Sequence, residues 1–142
     1  MNIVPLVESH FYALGISMDW INKYRLQNGV KYAVVVDEKL VAIGGVVPDV
    51  SRESVGLAWT FFTDEAGRSA RLMRRIHAAV KAKIPEAKKQ FVRIECLTMP
   101  RSMKHYSWLI YFGFIFEGVA EKFTGTEDRA RFAWVGGGTS TR

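Results

Sequence analysis

Residues 54–62 alternate with period two: Val55, Leu57, Trp59 and Phe61 fall on one side, and Gly56, Ala58, Thr60 and Phe62 on the other. That is the pattern of a strand with two different faces. A polar loop follows at 63–69, and then the period changes. Leu72, Met73, Ile76, Ala79, Val80 and Ile84 recur at helical spacing. They predict a helix of about 16 residues, with Pro85 as its stop. Residues 1–7 read as a short first strand. Ser9 and Ser17 offer N-caps for two short helices separated by Gly15. The second of these carries an apolar stripe of Trp20, Ile21 and Tyr24 and ends at Asn28 and Gly29. Residues 31–37 and 40–47 are β-rich and joined by a turn at Asp37, Glu38 and Lys39. Gly44 and Gly45 predict a bulge or a close backbone approach, and Pro48 ends that run.

The C-terminal half continues the alternation. Residues 91–98 form a strand with Val92, Ile94 and Cys96 on one face and Phe91, Arg93, Glu95 and Leu97 on the other. Pro100 opens a short helix that Gly113 closes. Strands follow at 114–124 and 130–135, with a polar turn at 125–128. The sequence GGGTSTR at 136–142 reads as a flexible tail. The order β-α-α-β-β-β-α-β-α-β-β predicts an α/β protein: a mixed sheet, helices on its faces, one domain over residues 1–135.

Composition narrows the setting. The chain has 142 residues, 49% hydrophobic and 24% charged, which is ordinary globular usage. Cys96 is the one cysteine, so no disulfide forms within the chain. His10, His77 and His105 are scattered, and no metal site is expected. No apolar run approaches the roughly 20 residues of a membrane span, and residues 1–5 lack a signal-peptide pattern. A cytoplasmic setting is the expectation, or a virion if the chain is an assembly protein.

Charge is unevenly placed. Arg68, Arg71, Arg74, Arg75, Lys81, Lys83, Lys88, Lys89 and Arg93 face only Glu86 within residues 67–93, a surplus of eight, so the remainder of this +6 chain nets −2. The surplus begins where a strand feeds the long helix. Free N–H groups at a helix start attract anions, so charge and helix dipole converge there on a phosphate-binding site. A solvated helix face is the plainer reading of the same stripe.

Three segments resemble the GNAT N-acetyltransferase superfamily: VVDEKLVAIGG (35–45), GLAWTFFTDEAGRSARLMRRI (56–76) and WLIYFGFIFEG (108–118). The resemblance implies a GNAT-like fold of six or seven strands. It also implies acetyl-CoA as cosubstrate and an amine as acceptor, with direct acyl transfer between them. The family's pyrophosphate loop, Q/R-x-x-G-x-G/A, falls on Asp64, Glu65, Ala66, Gly67, Arg68 and Ser69. Gly67 matches, Ser69 takes the last small position, and Asp64 stands where a basic or amide residue is usual. Gly67, Arg68, Ser69, Ala70 and Arg71 are the implied cofactor contacts, with Trp59 and Phe61 lining the cleft. The family's fourth and fifth strands splay to admit the pantetheine arm. Its usual Tyr acid falls on Leu109, with Tyr106 and Tyr111 the nearest hydroxyls, and its usual Asn falls on Ser102.

Tyr106, Glu95 and His105 are therefore the catalytic candidates. Glu95 could act as a base through a water or pair with Arg93. His105 could be a base or an ordinary boundary residue. Cys96 reads as a small buried hydrophobe and His77 as structural. Three functions follow. One is an acetyl-CoA-dependent N-acetyltransferase. Another is a catalytically silent GNAT-fold assembly protein, such as a phage virion component, for which Asp64, Glu65, Leu109 and Ser102 speak; a homodimer or an assembly partner goes with it. The third is a nucleic-acid binder using the basic stripe, ranked last because no aromatics are interleaved with it.

Overall fold

A two-residue turn organises the first hairpin. Asp37 and Glu38 both take positive φ, 50° and 66°, the mirror-image turn whose twist matches that of paired strands. In the computed structural model, which describes residues 1–15, 29–98 and 103–136, seven strands form one sheet. They are β1 (Asn2–Pro5), β2 (Val30–Val36), β3 (Lys39–Asp49), β4 (Arg52–Phe62), β5 (Arg93–Thr98), β6 (Ile115–Ala120) and β7 (Arg129–Val135). Their spatial order is β1-β2-β3-β4-β5-β7-β6. Every neighbouring pair is antiparallel except β4 with β5, which is parallel. The helices are α1 (Glu8–Ala13), α2 (Asp64–Arg68), α3 (Ala70–Gln90) and α4 (Met103–Tyr111). This is the mixed α/β sheet that the alternation predicts. Ser17, Trp20, Ile21, Tyr24, Asn28, Pro100, Ser102 and the tail beyond Gly136 lie outside the described residues. Among the described residues, no helix is long and apolar enough to cross a membrane.

The period-two reading of β4 holds. Trp59 and Phe61 pack with Phe11 of α1 and with Ala33, Ile43 and Val47 on one face. Phe62 joins Met73, Ile76 and Ala79 of α3 on the other. A second cluster under α3, around Ala87, Phe91, Ile94 and Phe132, supports the C-terminal strands.

Several boundaries differ from expectation. Pro85 does not stop α3, which runs on to Gln90. The ring's fixed φ suits a helix, and the Lys81 carbonyl that loses its partner lies on an exposed stretch open to water. Burial of Ala87 and Phe91 rewards the extra turn. Pro48 sits inside β3 opposite Gly56 and not after it. Gly44 and Gly45 lie in regular pairing; the register shifts occur at Val34/Val35 and Pro48/Asp49. Close approach is what Gly45 serves, since a Cβ there would stand 2.3 Å from the Val30 carbonyl oxygen. Ser9 lies within α1, whose N-cap is Val7; the Val7 N–H donates to His10 Nδ1 at 3.1 Å. The strand expected over 114–124 stops at Ala120, where Asp128 Oδ1 accepts from the Lys122 N–H at 2.8 Å and turns the chain.

Candidate functional site

β4 and β5 share only three paired positions, Val55 with Arg93, Gly56 with Ile94 and Leu57 with Glu95. Past these, β4 is held by β3 alone and β5 by β7 alone. Two strand edges thus part, leaving backbone groups without a ladder partner between them. The fork this makes opens on the α3 side. Thr60 lies there, on the same face as Ala58 and Phe62, and it is exposed although its strand is central in the sheet. Ile94 and Leu109 border the same space.

An aromatic wedge stands beside the fork. Trp108 of α4 meets Phe62 of β4 edge-on at 5.7 Å and His77 of α3 at 4.2 Å between ring centres. His105, one turn earlier, lies 5.4 Å from the same indole. Its Nδ1 is 2.9 Å from Thr98 Oγ1, at the tip of β5. His77 also meets Phe112 at 5.8 Å, so it is built into the packing between helices.

The head of α3 is a capped helical turn and not the irregular loop that the sequence predicts at 63–69. Thr63 Oγ1 accepts from the Ala66 N–H at 3.2 Å, and the Thr63 carbonyl accepts from the Gly67 N–H at 3.0 Å. The Ser69 N–H donates to the Ala66 carbonyl at 3.2 Å. Ser69 then caps α3: its Oγ takes the Leu72 N–H at 3.1 Å and its carbonyl takes the Met73 N–H at 2.9 Å. Ala66, fully buried, pins the turn to the core. Most amides expected to face an anion are therefore engaged. The N–H groups of Ala70 and Arg71, the first two helical positions, have no acceptor inside the helix. Gly67 is exposed, and a Cβ there would meet nothing within 4 Å, so the backbone is bare to an approaching ligand. Arg68 and Arg71 are exposed beside it. Asp64 and Glu65 are exposed too, in the first turn of α2 where a helix dipole favours them. A polar cavity of about 250 Å³ adjoins this head, lined by Lys39, Arg71 and Arg75 against Asp37 and Glu65.

The cofactor candidates Gly67, Arg68, Ser69, Ala70 and Arg71 are thus brought together. Trp59 and Phe61 are not with them. Trp59 stacks on Phe11 at 6.1 Å and lies 5.8 Å from Phe61 on the opposite face of the sheet, because period two puts odd positions there. The catalytic candidates do not converge either. His105 is at the fork. Tyr106 packs against Phe116 at 5.6 Å and Phe132 at 4.9 Å in the C-terminal core. Glu95 lies on the far face. The Tyr111 ring, the other hydroxyl near Leu109, carries Lys81 Nζ at 3.9 Å.

Glu95 is the middle of an ion-pair ladder. Arg52 grips it at 2.6 and 2.9 Å, Arg93 donates at 2.7 Å, and Arg131 stands at 3.7 Å. Arg52 also reaches Asp49 at 2.6 Å, and Arg93 reaches Glu117. The Arg52 hydrogen bonds, with those of Arg93, outweigh desolvation and hold the Glu95 carboxyl down at about 2. So acidic a carboxylate is a weak base. Burial pushes the Cys96 thiol up to about 11, away from the thiolate a nucleophile needs. Sequence reasoning paired Glu95 with Arg93 but missed Arg52, which is 43 positions away. It also passed over Thr60, Thr98 and Trp108. Thr60 and Trp108 sit inside the quoted motifs, and only the fork shows what they border.

The geometry defines a mixed α/β fold in which one parallel strand pair parts above the head of a cationic helix. No family model matches the sequence, and no curated protein matches it. Solved structures do match. An acetyltransferase from Bacillus subtilis in complex with CoA aligns at TM-score 0.71 and 17% identity, over 94% of this chain and 96% of that one. A GNAT-family acetyltransferase from Bacillus anthracis aligns at 0.64 and 16%, over 94% and 93%. The ribosomal-protein-S18-alanine N-acetyltransferase from Escherichia coli aligns at 0.68 and 9%, over 99% and 97%. The fold of this chain is that of the GNAT acetyltransferases.

Proposed function

We propose that the protein binds acetyl-CoA in the β4–β5 fork and transfers its acyl group to an amine, as a GNAT N-acetyltransferase. The observation that carries this reading is the fork itself. It opens at Thr60 and leads, through Phe62 and Thr63, into the head of α3. Arg68 and Arg71 supply charge-assisted hydrogen bonds to a diphosphate there, and the Ala70 and Arg71 N–H groups supply the dipole. The bare backbone at Gly67 lets the phosphates approach. CoA supplies the activated thioester. In this reading the amine nitrogen attacks the thioester carbonyl carbon, the C–S bond breaks, and the amine proton is taken up as the thiolate leaves. His105, fixed by Thr98 at the fork, takes that proton and returns it to the thiolate. Tyr106 positions α4 by packing in the core. A cytoplasmic location goes with this reading.

Titration calorimetry with acetyl-CoA tests it. A dissociation constant between micromolar and millimolar is expected, with thiol release once an acceptor amine is supplied. No heat at millimolar acetyl-CoA overturns the proposal.

A second reading is favoured by the sheet edge. β6 is terminal, and it presents Ile115 at 70%, Val119 at 46% and Phe116 at 45% exposure. Such an edge suits a partner or a second copy, as a silent assembly protein, in a virion for example, would need. Sedimentation of the pure chain as a monomer at all concentrations removes the self-association part of that reading.

A further inference from the structure

Between the sheet and α3 lies an apolar cavity of about 120 Å³. Ala42, Gly44 and Ala58 form its floor; Ile76, Ala79 and Ile84 form its roof. Protein interiors leave few voids larger than a water molecule. The void here follows from the sequence, which sets small residues at adjacent positions of β3 and β4 beneath aliphatic side chains of α3. An apolar cavity of about 150 Å³ stays dry and takes up a molecule the size of benzene.

The two ends of this cavity differ. At one end Lys83 Nζ is committed, 3.3 Å from Glu86 and 4.5 Å from the centre of the Tyr32 ring, and Tyr32 donates its own hydroxyl to Glu86. On the β4 side the lining reaches Thr60 of the fork, with Ile94 and Leu109 farther along towards Ala87. Thr60 is exposed, so the fork is the open door. Beyond Lys83 the described lining residues carry no charge, and Leu109 adds an aliphatic side chain.

We infer that this cavity receives a straight saturated acyl chain of roughly four to six carbons, entering from the fork, sized by comparison with benzene-binding cavities. The inference rests on the acyl-CoA reading for the way in, and it makes the protein selective for acyl groups longer than acetyl. Each methylene buried contributes about 0.8 kcal/mol, close to fourfold in affinity. Ile84, eight residues beyond Ile76 along α3, is the roof residue whose enlargement would fill the cavity.

The test is calorimetry with acetyl-, butanoyl- and hexanoyl-CoA and with free hexanoate, on the intact chain and on Ile84→Phe and Ala58→Val. Affinity should rise about fourfold per methylene and exceed that for acetyl-CoA by roughly two orders of magnitude at hexanoyl. Ile84→Phe should lower hexanoyl-CoA affinity at least tenfold and leave acetyl-CoA binding unchanged; Ala58→Val should act in the same direction if the first variant fails to fold. Acetyl-CoA binding with no gain from longer chains overturns this inference and leaves the proposed function standing. Hexanoate raising the melting temperature while no CoA ester binds sustains the cavity's specificity and removes the proposed function. Binding of none of the four overturns both.

Discussion

The two faces of the sheet at the fork treat charge in opposite ways. On the far face, Arg52, Arg93 and Arg131 are matched by Asp49, Glu95 and Glu117 in one connected ladder. On the α3 side, Arg68, Arg71 and Arg74 are exposed and, among the described residues, have no carboxylate partner. Matched charges that are partly buried depend on one another, because losing one strands the rest. Unmatched exposed cations keep their hydration and remain available to an anionic ligand. The same residue type therefore serves structure on one face and, in the proposed function, recognition on the other.

Removing the centre of the ladder gives the largest effect. Glu95→Ala leaves three guanidinium groups facing a site with only 9% of the residue exposed. Breaking a pair that is only partly buried costs less than a fully buried one, about 2 kcal/mol, read as a lower urea midpoint at unchanged slope. Acetyl-CoA affinity measured well below the midpoint should stay the same. If the midpoint hardly moves, the ladder is an ornament of the surface and the contrast between faces fails.

The opposite change comes next. Arg68→Ala combined with Arg71→Ala should weaken acetyl-CoA binding about thirtyfold, at roughly 1 kcal/mol for each partly solvated contact. Folding stability should stay within about 0.5 kcal/mol, as for ordinary surface positions. The loss should shrink as salt is raised, since exposed charges are screened. Binding that is indifferent to both arginines would move the diphosphate elsewhere.

How much of this was legible in the sequence depended on the range of the interaction. Period two in β4 and helical period in α3 are local, and both were readable; so was the GNAT-like order of elements. The stop at Pro85 was misplaced because Ala87 and Phe91 bury themselves against distant strands, a tertiary gain that overrides a local breaker. At the candidate site, Gly67–Arg71 are contiguous in the chain and could be placed together. The loop's true form was hidden because Thr63 and Ser69 look alike as polar residues, and only their capping geometry makes a helical turn. Arg52 and the parting of β4 from β5 depend on residues some forty positions apart, beyond any periodicity. Trp59 and Phe61 were assigned to the cleft by resemblance, while their own alternation already put them across the sheet from Phe62.

Acid titration gives the smallest effect and sharpens the comparison furthest, because the ladder carboxyls Asp49, Glu95 and Glu117 are held low together, while on α3 the Tyr32 hydroxyl lowers Glu86. The Glu95 carboxyl is held at about 2 by Arg52 and Arg93, and the Asp49 carboxyl is held at about 2 by the Ser51 N–H and Arg52. Arg93 likewise lowers Glu117. A carboxyl whose folded value lies below its unfolded one stabilises the fold fully above the unfolded value. That contribution fades as pH falls towards the folded value. Stability should therefore be level from neutral pH to about 5.5 and decline between about 4.5 and 2. Glu95 alone should account for on the order of 1 kcal/mol by pH 4. Glu95→Gln should remove that share of the slope. A curve that Glu95→Gln does not flatten would mean that acid acts on some other carboxylate, and the far face would lose its place as the structural half of the pair.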